Sequence, residues 1–501
     1  MTGFDGSIDL GARRLGGMVL EATDEFFAPK ESLLDPRAPV FDPVSYSDRG
    51  KIMDGWETRR RRGDGDDSCV VRLGVPGVVT AVEVDTTHFR GNAPEACWLE
   101  GCAVEPTGDG GSTPSPPDAD TAWFPLLART PVQPDAVQRF AVAATPRASH
   151  VRFWISPDGG VARLRLFGRP LVDLHAAAFT SGYVDLAAAV HGGRVVACTD
   201  AFFSSPSNLL TIGDARDMSD GWETRRRRGP GEDRVVVALA TTGAIDRVEL
   251  DTTHFKGNHP DRVVIEGLHA PDADTTTLDD AEWAELVAAT PTQPHARHAW
   301  PTADLGPVSH LRLRVLPDGG VARLRAFGWI DDEGWRRHGI ARLDTSTPAR
   351  LETDLLACCG STTWARRMVA RAPFGTPDAL LAAADDIWAT LGRDDRLEAF
   401  AAHPRIGERA AAGFSSREQA GVDEADRATR DALVAGNEAY QQRFGHVFLI
   451  RAAGRTAAEM LAALRERLAN EPGTELEIAS EQQGEITRLR LEQLLREGHP
   501  G

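Results

Sequence analysis

The chain contains an internal duplication, and this feature limits the folds that its first two thirds can adopt. Three blocks of eight or nine residues each occur twice and in the same order: Gly-Trp-Glu-Thr-Arg-Arg-Arg-Arg at 55–62 and 221–228, Asp-Thr-Thr-His-Phe-(Arg/Lys)-Gly-Asn at 85–92 and 251–258, and Pro-Asp-Gly-Gly-Val-Ala-Arg-Leu-Arg at 157–165 and 317–325. Such identity does not arise by chance in one chain. We therefore predict two homologous domains, residues 1–172 and 173–332.

Within each copy, the sequence predicts short strands of an antiparallel β-sandwich. Runs of alternating apolar residues are separated by turns rich in Gly, Pro and Asn. The Asp-Gly-Gly triplet at 158–160 lies between two such runs and predicts a hairpin. In the strand after it, the apolar residues are expected to face the core, while Arg163 and Arg165 face solvent.

Past residue 332 the pattern changes from strand-like to helical. Residues 333–347 are charged and are predicted to be a linker with little structure of their own. Residues 348–501 are rich in Ala, Leu, Arg and Glu, with apolar residues at three- and four-residue spacing, which predicts an all-α domain. Helices are expected to start at Pro377 and, from a Ser-Ser-x-Glu pattern, at Ser415. The predicted fold class is therefore multidomain, with two all-β sandwiches followed by an all-α domain.

Charge and composition narrow the classes of function. The net charge of −18 argues against a nucleic-acid partner, because phosphate recognition needs a basic surface. The six cysteines show neither paired metal-ligand spacing nor a disulfide framework. No segment approaches the ~20 apolar residues of a membrane span, and the first residues lack a signal-peptide core. We expect a cytoplasmic protein with reduced thiols, no membrane partner and small-molecule substrates.

The repeated blocks carry residues suited to bind and protonate a polar substrate. His88 and its copy His254 follow an Asp-Thr-Thr triplet at a predicted strand end, where carboxylate, hydroxyl and imidazole groups come together. Guanidinium groups of the arginine blocks can pair with carboxylates in a bidentate manner. A structural alternative stays open, since repeated motifs also build strands and turns and arginine runs are usually solvated.

These duplicated blocks make residues 1–330 resemble the allantoicases, a family built from two such repeats. The resemblance implies a jelly-roll-like sandwich for each repeat and hydrolysis of allantoate to (S)-ureidoglycolate and urea. Allantoate has a carboxylate for arginine to bind, and the departing urea needs a proton. We therefore assign acid–base catalysis to His88 and His254 together with Asp85 and Asp251. The predicted substrate-binding residues are Trp56, Glu57, Arg59, Arg60, Trp222, Glu223, Arg225 and Arg226.

The helical region contains a second candidate site around His403. Pro404 directly after it disfavours helical geometry at His403 and predicts the end of the preceding helix. Glu418 lies in the first turn of the helix expected after Ser415, where capping is the structural alternative. An imidazole and a carboxylate near helix ends are suited to recognise a polar planar ring and to deliver a proton.

Residues 345–497 resemble the 2-oxo-4-hydroxy-4-carboxy-5-ureidoimidazoline (OHCU) decarboxylases. The resemblance is carried by His-Pro-Arg-Ile-Gly at 403–407, by Ser-Ser-Arg-Glu-Gln at 415–419 and by a Cys-Cys-Gly-Ser block that is expected to be buried and structural. It implies loss of carbon dioxide to give (S)-allantoin without a cofactor, with His403 as proton donor and Glu418 as its partner. The residues expected to line the ring are Pro404, Ser415, Ser416, Arg417, Gln419, Phe448, Leu449, Ile450, Arg451 and Ala452.

The two resemblances together predict a bifunctional enzyme of purine (urate) degradation. Its two steps are not consecutive, because allantoin must be opened to allantoate between them, so channelling would require association with another enzyme of urate degradation. A homo-oligomer is expected by resemblance, and no cofactor or metal ligand is predicted. Three alternatives stay open: a non-catalytic binding module in place of the hydrolase, a working site in only one repeat, and a divalent metal in the repeats.

Overall fold

The protein folds into two compact units, which we call the β unit (Met1–Gly334) and the helical unit (Trp335–Glu497). The computed structural model describes residues 2–3, 7–104, 115–143, 145–172, 174, 183–274, 276–403, 427–451 and 455–496.

The first repeat is built around one long strand. β7 has 19 residues; its first half pairs with β3 and β11, and its second half pairs with β10 and β13. The sheet continues from β11 to β8 and β9, and from β13 to β2. The strands that precede and form this repeat are β1 (Thr2–Gly3), β2 (Ile8–Asp9), β3 (Met18–Ala22), β4 (Tyr46–Ser47), β5 (Gly50–Lys51), β6 (Trp56–Glu57), β7 (Asp67–Asp85), β8 (Ala96–Cys102), β9 (Phe124–Pro131), β10 (Val137–Ala141), β11 (Ala148–Ser156), β12 (Gly160–Val161) and β13 (Arg163–Pro170).

The second repeat has the same arrangement around β17. The first half of β17 pairs with β15 and β21, and its second half pairs with β20 and β23. β1, from the start of the chain, adds to its edge strand β15. The duplication and the two antiparallel β domains are therefore confirmed. The strands are β14 (Tyr183–Asp185), β15 (Arg194–Cys198), β16 (Trp222–Glu223), β17 (Asp233–Asp251), β18 (Arg262–Leu268), β19 (Ala284–Pro291), β20 (Arg297–Pro301), β21 (Pro307–Leu316), β22 (Gly320–Val321) and β23 (Arg323–Ile330).

The Asp-Gly-Gly turn at 158–160 does not form the predicted hairpin. The strands on its two sides, β11 and β13, both pair with β7, and among the described strands they do not pair with each other. The short strand β12 pairs instead with β6. The turn therefore links two strands that pair with different halves of β7, and it brings the third repeated block beside the first.

In the strand after this turn, the prediction is confirmed for the apolar residues but not for Arg163. Leu164 and Leu166 are fully buried in the core of the first repeat. Arg163 was expected to face solvent, and this prediction is wrong, because its side chain is also buried. Its guanidinium donates to the carbonyl oxygen of Arg37 (2.9 Å) and to the carboxylate of Asp54 (2.8 Å). A loop between these two residues covers the face that alternation alone assigns to solvent.

The helical unit contains eight helices in the part of it that the structure describes. Its core includes Trp364, Leu355 and Leu491, together with the predicted structural pair Cys358 and Cys359. Burial raises the pKa of the Cys359 thiol to about 11, so this thiol is not reactive near neutral pH. The helices are α1 (Asp332–Asp344), α2 (Pro348–Cys359), α3 (Thr362–Arg371), α4 (Pro377–Ala389), α5 (Arg393–Ala401), α6 (Arg427–Phe444), α7 (Ala457–Arg467) and α8 (Pro472–Leu495).

The predicted linker at 333–347 is wrong for most of its length, because α1 occupies it. Two carboxylates in the first turn interact favourably with the positive end of the helix dipole. Although this stretch is rich in charged residues, its apolar residues Ile340 and Leu343 pack in the core of the helical unit. The helix start at Pro377 is confirmed, with Thr376 as its N-cap. The start at Ser415 lies outside the described residues.

Candidate active sites in the two repeats and in the helical unit

The three repeated blocks, distant in the chain, meet at one place in each repeat. The ring of Phe89 lies at the centre of this place: a Cβ atom added at Gly55 would lie 2.8 Å from it, and one added at Gly160 would lie 2.0 Å away. Gly159, with a φ of 137°, donates its N–H to Thr58 Oγ1 at 3.1 Å. Only glycine fits these positions, so the Asp-Gly-Gly block is required by packing as well as by the turn. We call this place the motif junction, formed by 55–62, 85–92 and 157–165 and, in the copy, by 221–228, 251–258 and 317–325.

The tryptophans of the first block belong to the core. Trp56 and Trp222 are fully buried, and each indole N–H donates at 2.8 Å to a backbone carbonyl, that of Asp24 or of Asp200. Both indoles are thus held by contacts within the protein. Binding of substrate by these two residues stays a prediction.

The first and third arginines of each block are anchored to carboxylates. Arg59 Nη2 lies 2.7 Å from Asp24 Oδ2, and Arg61 is paired with Asp67. The copy has the same pairs, Arg225 with Asp200 at 2.9 Å and Arg227 with Asp233 at 2.6 Å. The guanidinium groups of the predicted ligands Arg59 and Arg225 are thus already occupied by protein carboxylates.

The second and fourth arginines are free to bind a ligand. Arg60 and Arg62 are exposed and form no ion pair with a described residue, and the same holds for Arg226 and Arg228. Of the predicted substrate-binding arginines, Arg60 and Arg226 therefore remain available for a substrate carboxylate.

Glu57 lies in the junction beside the last residue of the second block. Its Oε1 accepts a hydrogen bond from Asn92 Nδ2 at 2.7 Å, and the copy has the same bond between Glu223 and Asn258, also at 2.7 Å. Glu57 is only 9% exposed. Burial raises the pKa of this carboxyl, and the Asn92 amide opposes the shift.

Both candidate histidines have a strained backbone. His88 and His254 have φ values of 74° and 75°, in the left-handed region that residues other than glycine seldom adopt. The backbone N–H of His88 donates to Asp135 Oδ1 at 2.8 Å, and its ring is stacked on Phe41 with 5.4 Å between centroids. Strain of this kind persists where the surroundings hold it, and it is frequent at functional sites.

The histidine of the second repeat has a different environment. The backbone N–H of His254 donates to His295 Nδ1 at 2.8 Å, and its Nε2 donates to the carbonyl oxygen of Ala215 at 2.9 Å. The β4–β5 hairpin, which follows Phe41 in the first repeat, has no counterpart among the described residues of the second repeat. The two sites are therefore alike at the junction and differ around the imidazole.

The predicted pairs of Asp85 with His88 and of Asp251 with His254 are not formed. Asp85 Oδ1 accepts the backbone N–H of Thr87 at 2.7 Å, and Asp251 Oδ1 accepts that of Thr253 at the same distance. Both carboxylates are buried. They close the turn that carries the histidine.

In the helical unit, His403 follows directly after α5, as the proline after it predicts. Its side chain is buried, and Arg490 on α8 approaches Nδ1 at 3.3 Å. Because arginine can only donate, Nδ1 is the acceptor and the ring hydrogen is on Nε2. Nε2 has no partner in normal hydrogen-bond geometry among the described residues, and a weaker contact with Gln483 raises the pKa of the ring. Burial and the Arg490 guanidinium lower the pKa of His403 to about 3, so the imidazole is neutral near pH 7.

Other predicted residues of this site lie partly outside the described residues. Phe448, Leu449 and Ile450 are buried in cores of the helical unit. Arg451 is exposed, and its backbone N–H donates to Gln482 at 2.9 Å. Contact between this stretch and a substrate stays a prediction. The residues outside the described part are Pro404, Ser415, Ser416, Arg417, Glu418, Gln419 and Ala452.

The sequence analysis did not identify four residues that contact the candidate site residues: Asp24, Asn92, Asp135 and Arg490. Asn92 and Asp24 carried a signal, because each belongs to a stretch that recurs in the second copy. Asp135 carried none, since His295 replaces it in the second repeat. Arg490 carried none either, because it comes from a helix almost ninety residues further along the chain than His403.

Among the residues that the structure describes, no group of three or more His, Cys, Asp or Glu side chains is arranged to hold a metal ion. Within the same residues, no helix is long and apolar enough to cross a membrane.

The fold and the sites define a duplicated β-sandwich with one junction per repeat, in a chain that continues into a helical domain with a buried histidine. Residues 8–171 and 184–331 match the family model described as allantoicase repeat, and residues 344–492 match that described as OHCU decarboxylase. The chain belongs to the allantoicase family and carries an OHCU decarboxylase domain after the allantoicase repeats.

Individual relatives agree with this placement. A probable allantoicase from Nocardia farcinica is 48% identical over 332 residues, which cover 65% of this chain and 95% of the relative. Probable allantoicase 1 from Burkholderia mallei is 44% identical over 328 residues, with the same coverage. The crystal structure of an allantoicase from Saccharomyces cerevisiae is 33% identical, has a TM-score of 0.55 and covers 64% of this chain and 93% of its own. The predicted bifunctional enzyme of urate and allantoin catabolism, a hydrolase joined to a decarboxylase, is thereby confirmed.

Proposed function

We propose that the β unit hydrolyses allantoate at the motif junction and that the helical unit decarboxylates OHCU at His403. The products are (S)-ureidoglycolate and urea in the first reaction and (S)-allantoin and carbon dioxide in the second. The observation that supports the first site most is the convergence of all three repeated blocks on one place in each copy. A requirement for packing accounts for the glycines and the tryptophan, but it leaves the free arginines and the strained histidine unexplained.

In the junction, the free arginine binds the substrate carboxylate. Arg60 and Arg226 are exposed and have no protein carboxylate as partner among the described residues, whereas Arg59 and Arg225 are held by aspartates. A guanidinium forms a bidentate pair with a carboxylate and fixes its orientation. His88 and His254 act as acid–base groups, each held in a left-handed conformation by its turn.

The test of carboxylate binding compares neighbouring arginines. Arg60→Ala together with Arg226→Ala should raise KM for allantoate by about 10-fold or more, since a charge-assisted hydrogen bond contributes roughly 1.5–3 kcal/mol. Arg59→Ala is the matched change at an anchored arginine, and it should lower stability more than it raises KM. Equal effects of the two arginine changes on KM would contradict the assignment.

The acid–base role is tested separately. His88→Ala combined with His254→Ala should lower kcat for urea release by about 10²-fold or more, the usual range for general acid–base catalysis. Unchanged kinetics in the double variant would exclude the role, and comparison with the two single variants shows which repeat is active. The same assay with and without a chelator decides whether the repeats need a divalent metal ion.

By resemblance, His403 is the proton donor to the ring carbon that loses carbon dioxide, and Nε2 is the ring nitrogen available for this transfer; because a neutral imidazole is a very weak acid, the proton that it gives has to be supplied by a partner. The geometry supports this role, because Arg490 occupies Nδ1 and directs the hydrogen of the neutral ring to Nε2. Glu418, by resemblance, is the partner that restores this proton. His403→Asn should abolish decarboxylation while the helical circular dichroism signal is retained; remaining turnover would contradict the assignment.

Further properties are proposed on resemblance or composition alone. They are a jelly-roll-like topology of each sandwich, a cytoplasmic location, a homo-oligomeric state and an association with other enzymes of urate degradation. Light scattering after size-exclusion chromatography tests the oligomeric state, and a single-chain mass would contradict that part of the proposal.

A further inference from the structure

Glu57 is a buried carboxyl that no cation compensates. The next residues along the chain include four arginines, but Arg59 and Arg61 pair with Asp24 and Asp67, and no described cation forms an ion pair with Glu57. The only hydrogen bond of its carboxyl group among the described residues is the one from Asn92. Burial of a carboxylate without a counter-charge is unfavourable.

The same carboxyl–amide pair is present in both repeats. Glu223 and Asn258 reproduce the Glu57–Asn92 bond at an identical distance of 2.7 Å, although Ala93 and His259, directly after the two asparagines, differ. In each pair the amide holds Oε1, and Oε2 has no protein partner among the described residues. A carboxyl with one oxygen fixed and the other accessible is arranged to exchange a proton with a ligand.

We propose that Glu57, and Glu223 in the second repeat, are catalytic acids that protonate the departing urea, with Asn92 and Asn258 as positioning residues. This inference rests on the proposed hydrolysis of allantoate at the motif junction. The sequence predicted that these glutamates bind substrate, and the present proposal assigns them the transfer of a proton. The burial that raises the pKa of Glu57 increases the share of the protonated form that a donor needs.

The step is balanced as follows. The oxygen of water forms a bond to the central carbon of allantoate as the bond from that carbon to one ureido nitrogen breaks. The carboxyl of the glutamate gives its proton to that nitrogen, which leaves as neutral urea. The proton lost by the attacking water passes to the histidine of the same repeat and then returns to the glutamate carboxylate through solvent.

The test replaces both acids by isosteric amides in the full-length protein. In Glu57→Gln with Glu223→Gln, an amide oxygen still accepts the bond from asparagine, so the fold is preserved and only the transferable proton is lost. We expect kcat for urea release from allantoate to fall by about 10²-fold or more, with KM little changed. Glu95→Gln, which alters an exposed side chain near the same loop, should keep the wild-type rate.

The outcomes are distinguishable. If the wild-type protein releases urea and the double glutamine variant matches its kcat, the inference is overturned and the proposed function stands. If the wild-type protein releases no urea, the proposed function itself fails. A rise in KM without a fall in kcat would make the glutamates binding groups and overturn the acid role. If the glutamine variants do not fold, Glu57→Asp with Glu223→Asp is compared with Glu57→Asn with Glu223→Asn. We then expect a higher kcat for urea release in the aspartate variant, which keeps a transferable proton.

Discussion

Gly160→Ala is the substitution that most directly tests the packing of the motif junction. A Cβ atom at this position would lie 2.0 Å from Cε1 and 2.1 Å from Cδ1 of the Phe89 ring, well inside van der Waals contact. Phe89 is fully buried, so its ring has little room to move away. Forced overpacking of a core costs about 1–3 kcal/mol, and at roughly 2–4 °C for each kcal/mol in a domain of this size the β unit should melt roughly 2–12 °C lower.

The assay is differential scanning calorimetry of the full-length protein combined with urea release from allantoate. The transition of the helical unit serves as an internal reference and should not move. Gly91→Ala is the matched control, because a Cβ atom there has no neighbour within 4 Å, and its stability should be unchanged or slightly higher. If Gly160→Ala melts like the wild type, the close approach of the three blocks to Phe89 is not a constraint and our account of the junction fails.

Two further predictions concern the helical unit. Because the pKa of His403 is about 3 in the folded protein and about 6.5 in the unfolded chain, the unfolded state binds the proton first and the unfolding free energy falls as pH decreases from about 6.5 towards 3. Between pH 7 and pH 5 this loss is about 2 kcal/mol; denaturation curves of His403→Asn should lack it, and an equal loss in the variant would refute the argument. Arg467→Ala should destabilise the unit by about 3–5 kcal/mol, because Arg467 lies 2.8 Å from the fully buried carboxylate of Glu475. Arg465→Ala, on the exposed side of α7, should change stability by less than about 0.5 kcal/mol, and similar losses for both arginines would count against the buried pair.

Much of the architecture could be predicted from the sequence because the same pattern of strands and turns occurs in both repeats. Alternating burial along β7 follows the apolar pattern of its sequence, and the three- and four-residue spacing predicted the helices after Pro348. The prediction of a hairpin at 158–160 was wrong because a turn motif in the sequence does not determine which strands pair with each other. The prediction that Arg163 faces solvent was wrong for a related reason. A loop that begins at Arg37 covers this face of the sheet, and the alternation of apolar residues contains no information about such a loop.

The candidate sites show the same limit. The blocks that contain His88 and Arg60 are visible in the sequence, but the sequence does not show that Arg59 is held by Asp24 while Arg60 is free. That distinction depends on contacts between residues far apart in the chain. For His403 the proline after it was informative, whereas the contact of Arg490 with its ring follows only from the packing of α8 against α5.

The most direct test of the account is a comparison of both activities in one preparation of the full-length wild-type protein and of His403→Asn. We expect both proteins to release urea from allantoate at equal rates, and only the wild type to release carbon dioxide from OHCU. Loss of urea release in the variant would show that the two sites are not independent. Absence of urea release from the wild type, with decarboxylation intact, would contradict the assignment of the motif junctions as the allantoicase sites.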